Sequence, residues 1–373
     1  MQRRSFLRTG ISAGVLGVGS LSLPRRTAVA TSRRSGADPI RLSSNENPLG
    51  ISPLARTAIV DGIGDANRYP SLRSDLMQAI AAREHVRSEN VVLGAGSTEV
   101  LKMAVQGFGT PGGHLILANP TYEDAGFYAG SMDLEVHRVP LQPDMTHDLD
   151  AMRSLAESAS GPVCVYVCNP NNPTGTLTPC APIDEWIASA SDQVHFLVDE
   201  AYFDFVTAPE YWTAIKWITE KRNVLVARTF SKVYGMAGIR LGYGIAHPET
   251  ARQLRQLNVR NNANHFAQLA ALASLRDPDF VERSLRVNNR GKDILYQCLR
   301  ELDLEYFPSH TNFVMHRING DLRAYNTAMG QRGIRVGRPF PPMLDYSRLS
   351  IGLPEEMAKF TETLRAFRRE GRV

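Results

Sequence analysis

Through the middle of the chain, short runs of apolar residues alternate with longer stretches of helical period. The apolar runs fall at 91–93, 115–117, 163–167, 196–198, 224–227 and 243–246. Runs that are apolar at every position predict strands buried on both faces. Between several of them, apolar residues recur every three or four positions, as in the stretch that begins near Thr98. Strand–helix alternation of this kind predicts an α/β domain, with a largely parallel sheet covered by helices.

The C-terminal third has a different rhythm. Helical patterns at 267–274 and 279–302 come first. A strand candidate at 307–316, a helix, a proline-rich loop (Pro339, Pro341, Pro342) and a short strand at 348–351 follow. The last segment begins near Pro354 and places Met357, Phe360, Leu364 and Phe367 on one face, the pattern of an amphipathic helix docked on a core. The expected organisation is a leader at 1–30, an N-terminal segment at 31–67 that packs with the small domain, a large domain at 68–264, and a small α+β domain at 265–373.

The first thirty residues are set aside because they read as an export signal. Arg3-Arg4-Ser5-Phe6-Leu7 precedes a mildly apolar, Gly- and Ser-rich stretch and a small-residue pattern, Ala28-Val29-Ala30. That is the twin-arginine type, and it predicts passage through the twin-arginine translocase to the periplasm or the medium. The leader holds five arginines and no acids, so 42 − 5 = 37 basic residues face 38 acidic ones in the remainder. A near-neutral mature chain without a basic stripe excludes the electrostatic footprint of a nucleic-acid binder. Cys164 and Cys168 share one predicted strand, roughly 13 Å apart and beyond disulfide reach. No CxxC or paired His/Cys spacing points to a metal.

Candidate chemistry gathers just after the predicted strands, where open α/β sheets bind their ligands. Lys232 closes Thr229-Phe230-Ser231-Lys232, after an apolar run and before Gly235, Gly238 and Arg240. The chain has only six lysines among its 42 basic residues. That setting suits a lysine facing a phosphorylated aldehyde cofactor, pyridoxal 5′-phosphate. Such a cofactor also needs a carboxylate at its ring nitrogen, donors to its phenolate oxygen, a phosphate cradle and a stacking partner. Asp199, at the end of a strand, is the candidate carboxylate, with a helix N-cap as the competing role. Asn172 and Tyr202 are candidate donors, although the Asn-Pro-rich segment around Asn172 also has ordinary turn composition. Gly96, Ser97 and Thr98 lie between a strand and a helix, whose N-terminus favours phosphate; Ser231 and Arg240 could complete the cradle. Tyr122 is the stacking candidate, and Arg348 a clamp for a substrate carboxylate.

At these residues the chain resembles the fold-type I pyridoxal phosphate aminotransferases of class I/II, and within them the histidinol-phosphate aminotransferase branch. The motifs are Arg68-Tyr69-Pro70, Gly96-Ser-Thr-Glu99, Pro120-Thr-Tyr122, Asn169 to Gly175, Asp199-Glu-Ala-Tyr202, Thr229-Phe-Ser-Lys232, Gly238-Ile-Arg240 and Arg348-Leu-Ser-Ile-Gly352, in the family's order. The resemblance implies a ping-pong transfer between an amino acid and a 2-oxo acid, with Lys232 forming the Schiff base and moving the α-proton. It implies cofactor contacts from Thr229 as well, and a homodimer in which Tyr69 reaches the partner's phosphate. Arg348 would bind the α-carboxylate or a phosphate-bearing substrate, and Asn47 would lie near the substrate entrance. Many histidinol-phosphate enzymes carry an arginine directly after a Gly-Ile-x-Val strand. Here Gly337 holds that place and Arg338 comes one position later, a slip that reverses side-chain direction in a strand. A lyase, decarboxylase or racemase would use the same site, and a non-catalytic binding protein could keep the fold.

Overall fold

The computed structural model describes residues 38–109 and 111–373; the predicted leader lies outside the described residues. Their strands are β1 (Ile40–Arg41), β2 (Val91–Gly94), β3 (His114–Asn119), β4 (Glu135–Pro140), β5 (Val163–Cys168), β6 (Val194–Asp199), β7 (Val224–Thr229), β8 (Gly242–Ala246), β9 (Phe313–Arg317), β10 (Ile334–Arg335) and β11 (Tyr346–Ser350). Seven of them form one sheet in the order β2-β8-β7-β6-β5-β3-β4. All pairings in it are parallel except those of β8, which runs antiparallel to both β2 and β7. The expected α/β architecture is therefore present.

Side-chain alternation explains why the apolar runs have no polar face. In β5, Val163, Val165 and Val167 join one core, together with Ile183, Trp186 and Ile187 of the helix Cys180–Ser189. Cys164, Tyr166 and Cys168 join the other, with Val100, Leu101 and Met103 of the helix Ser97–Gly109. β6 and β7 divide in the same way. Each large aliphatic side chain so buried contributes roughly 1.5–3 kcal/mol. β4 escaped the sequence pattern because it is an edge strand whose Glu-Val-His-Arg-Val-Pro residues are largely accessible.

A separate core lies under the C-terminal part. Phe360, Leu364 and Phe367 of the helix Pro354–Arg369 pack with Leu295 and Leu299 of the helix Pro278–Glu301, and with Leu42 beside β1. Ala55 of the helix Pro53–Asp61 and Ala267, Ala270 and Ala271 of the helix His265–Ser274 instead enter the core of the large sheet. The strand expected over 307–316 is shorter. It begins at Phe313, because Ser309 and Thr311 turn their hydroxyls onto the Phe313 carbonyl and hold the preceding residues as a loop. β9 pairs antiparallel with β11, which places Arg348 opposite Met315.

Candidate active site

The C-terminal ends of the parallel strands line up in register: Cys168 pairs with Asp199, and Asp199 with Ala227. At the same end, Gly242 lies opposite both Thr229 and Gly94. The loops leaving these ends converge on two adjoining cavities. The inner one, about 260 Å³, is lined by Ser97, Thr98, Tyr122, Asn172, Asp199, Tyr202, Thr229, Ser231, Lys232 and Arg240. The outer one, about 550 Å³, shares Tyr122, Asn172 and Lys232, and adds Asn45, Gly337, Arg338, Phe340 and Arg348. Residues scattered from 45 to 348 in sequence are thus brought into one cleft.

Asp199 ends β6 on the same face as Tyr166. Its carboxylate is 2% exposed and accepts from the Tyr166 hydroxyl at 2.9 Å and the Ala201 amide at 3.1 Å. Burial raises its pKa to about 6, against the lowering effect of these two bonds and Lys232. Lys232 is half-buried, and its pKa falls to about 8 through desolvation and then the positive charge of Arg348. Its amine lies 5.5 Å from the centre of the Tyr202 ring. Tyr202 accepts a 3.0 Å hydrogen bond from Asn45, so its own hydroxyl proton stays available for another acceptor.

Arg348 donates to the Asn172 amide oxygen at 2.7 Å and to the Ser43 carbonyl at 2.9 Å, and lies 4.5 Å from the Phe340 ring centre. With its oxygen engaged, Asn172 offers its NH₂ to the cavity. Arg348 itself is 7% exposed, has no carboxylate partner among the described residues, and leaves its Nε without a hydrogen bond. Desolvation lowers its pKa to about 10, with Arg338 adding to the effect. Tyr122 donates to Asp124 at 2.7 Å, which with burial holds its hydroxyl proton well above the ordinary range.

The Gly96–Thr98 turn meets Arg240 closely. Gly96 has φ +85°, and a Cβ there would come within 2.3 Å of Arg240 Nη2. The turn needs glycine for its left-handed conformation, and the contact keeps the guanidinium close against it. Arg240 also takes a left-handed backbone, φ 64°, and donates to the Ala237 carbonyl at 2.9 Å. The first amides of the helix Ser97–Gly109 lack helical acceptors, and Ser97 and Thr98 line the inner cavity together with Ser231 and Arg240.

The remaining expected residues fall in different places. Asn47 does not reach either cavity; it clamps the N-terminal segment by donating to the Val233 carbonyl at 2.7 Å and Ser284 at 2.9 Å. Asn45, two residues earlier and not singled out in the sequence, stands there instead. Tyr69 is 84% exposed and lines neither cavity of this chain. Gly337 is closed to larger residues, because a Cβ would lie 2.5 Å from the Arg348 carbonyl oxygen. Arg338 does line the outer cavity, paired with Glu123 at 2.8 Å.

Sequence reading also missed a buried charge network behind the site. Arg228, 3% exposed, pairs with Glu200 at 2.7 Å and Glu84 at 3.1 Å, and Tyr243 donates to Glu84 at 2.6 Å. An arginine inside the otherwise apolar run 224–227 and its continuation was the available signal.

The residues present suit pyridoxal 5′-phosphate. A buried carboxylate with no cation bonded to it fits a pyridinium N–H, a desolvated amine fits an aldehyde, and an arginine facing a helix N-terminus fits a phosphate. Fold and site together define the class of fold-type I pyridoxal phosphate enzymes. Comparison with known proteins narrows this. Residues 37–363 match the aminotransferase class I and II family. The histidinol-phosphate aminotransferase of Moorella thermoacetica is 38% identical over 332 residues, 88% of this chain and 85% of that protein. The enzyme of the same name from Methylobacillus flagellatus is 36% identical over 347 residues, 91% and 93% of the two chains. A crystal structure from Erwinia carotovora atroseptica superposes with a TM-score of 0.87 at 36% identity, covering 89% of this chain and 97% of that one. The chain belongs to the class I and II aminotransferases and is a pyridoxal phosphate-dependent enzyme of that family.

Proposed function

We propose that the protein moves an amino group from a substrate bearing an anionic group to a 2-oxo acid, the donor being an amino acid or a phosphorylated amino alcohol such as histidinol phosphate. One observation carries this reading. Arg348 is a buried guanidinium without a carboxylate partner among the described residues, and it lines the same cavity as Lys232. A buried charge left unpaired is costly, and a substrate carboxylate or phosphate would offset that cost. The names of the relatives above support histidinol phosphate as one such donor.

When bound, the cofactor supplies an electron-withdrawing ring that makes the substrate Cα–H acidic. Lys232, with its pKa pulled down to about 8, would take that proton at Nζ and deliver it to the carbon that was the cofactor's aldehyde. Asp199 keeps the ring nitrogen protonated by accepting from it. Asn172 and Tyr202 would donate to the phenolate oxygen, Tyr122 would cover one ring face, and Ser97, Thr98, Thr229, Ser231 and Arg240 would hold the phosphate. Arg338 guards the mouth of the outer cavity. A homodimer completes the phosphate site with Tyr69 of the second copy, and the leader at 1–30 sends the folded enzyme through the twin-arginine route.

A panel of amino donors that includes histidinol phosphate, assayed with 2-oxoglutarate and with pyruvate, tests the reading. Transamination predicts turnover only when donor and acceptor are both present. Sustained product formation without an acceptor would replace it with lyase, decarboxylase or racemase chemistry.

A further inference from the structure

His114 opens β3 at the far end of the sheet from the cleft, roughly 17 Å from Asn119 at the other end of the strand. It is the register partner of Glu135 on β4, and His137 follows two residues later on the same face of that strand. His114 Nδ1 lies 3.1 Å from His137 Nε2. The Glu135 carboxylate reaches both rings, 3.5 Å from His114 Nδ1 and 3.6 Å from His137 Nε2. On its other side, His114 Nε2 is 3.1 Å from the Ser160 carbonyl oxygen. A carbonyl only accepts, so Nε2 carries the proton and Nδ1 presents a lone pair toward the cluster.

We propose that His114, Glu135 and His137 bind a divalent transition-metal ion of the zinc, cobalt, nickel or copper class. Ligand atoms about 2.0–2.1 Å from a tetrahedral ion stand about 3.4 Å from one another. The two ring nitrogens stand 3.1 Å apart, and Glu135 brings Oε2 to 3.5 Å from His114 Nδ1 and Oε1 to 3.6 Å from His137 Nε2, so either oxygen is placed to complete the set. Two imidazoles and one carboxylate favour these ions over magnesium or calcium, which take mainly oxygen ligands. The Ser160 carbonyl is the outer partner that holds a metal-binding imidazole in one tautomer. A cross-strand ion pair alone would account for the carboxylate, but it leaves the two ring nitrogens facing each other across a single shared proton. The His114 side chain is only 10% exposed and fixed, while His137 at 23% and Glu135 at 67% leave a path from solvent. The ion would tie the edge strand β4 to β3, and so act on stability rather than on turnover.

The test uses the full, cofactor-loaded chain without a histidine tag, dialysed against a chelator and titrated with Co²⁺ and then Zn²⁺. The expected result is one Co²⁺ per chain with visible d–d absorption, displaced by one equivalent of Zn²⁺, and a Tm that rises on loading. Glu135→Gln and His137→Gln should each weaken binding at least tenfold while keeping the Tm of the chelated parent and its cofactor absorption. No saturable binding would overturn the proposal. So would affinity unchanged in His137→Gln, or Co²⁺ binding that alters the cofactor band and thus reports the cleft.

Discussion

Arg348 and Asn172, 176 positions apart, are joined by a 2.7 Å hydrogen bond that sets which end of the Asn172 amide faces the cofactor cavity. On the proposed reading, one arginine both receives a substrate anion and orients a cofactor donor. Arg348→Lys keeps the charge but loses the planar fork. It should raise KM for the anionic donor roughly 10- to 100-fold, the worth of a charge-assisted hydrogen bond, and shift the cofactor absorption as Asn172 is released. Steady-state kinetics with a spectrum of the resting enzyme check both effects.

Lys232→Ala should bind the cofactor without covalent attachment. Borohydride should then fail to fix it to the chain, and turnover should fall by several orders of magnitude. In the parent, capture of added cofactor requires the neutral amine, so its rate should climb with pH through about 8 rather than through the usual lysine range.

Asp199 predicts opposite pH effects on the empty and loaded protein. Its native pKa of about 6 lies above the unfolded value near 3.8, so the folded chain holds this proton more tightly. Its contribution to apo-protein stability is fully present below about pH 4 and is lost as pH rises through 6. Cofactor affinity should move the other way and weaken as pH falls through 6, because the protonated acid no longer pairs with the pyridinium. Asp199→Asn should remove both dependences, as read by thermal melts and cofactor titrations.

Gly337→Ala should cost about 1–3 kcal/mol, since its Cβ would press on the Arg348 backbone at 2.5 Å. The distortion passes to the Arg348 side chain, so donor KM should rise together with the loss of Tm. A glycine variant at exposed Arg338 should raise KM and leave Tm alone.

Arg228→Met should destabilise the protein by about 3–5 kcal/mol, because it leaves Glu200 buried without its cation and Glu84 with Arg83 alone. Replacing all three with apolar residues should recover much of that loss in chemical denaturation.

Local pattern carried far in this chain. The strands at 163–168, 194–199 and 224–229 were legible because residues buried on both faces leave no polar positions, and Asp199 and Lys232 stood out at or just past their ends. β4 was not legible, since an edge strand can be polar and needs only a neighbour to pair with. Asn45 and Asn47 sit in one Asn-rich segment, and only the path of the backbone, with Asn45 at φ 54°, decides which amide turns inward.

The amino-acid sequence by itself determined the parallel sheet, the candidate lysine and the kind of cofactor, because strand burial and motifs are local properties. Tertiary structure decided the rest. It turned the Asn172 amide through Arg348, closed position 337 to any side chain, brought Arg228 between two glutamates, and set His114 beside His137 from 23 residues away. Each of these depends on which atoms meet across strands and loops distant in sequence, and contact between distant residues leaves no trace in local hydrophobic period.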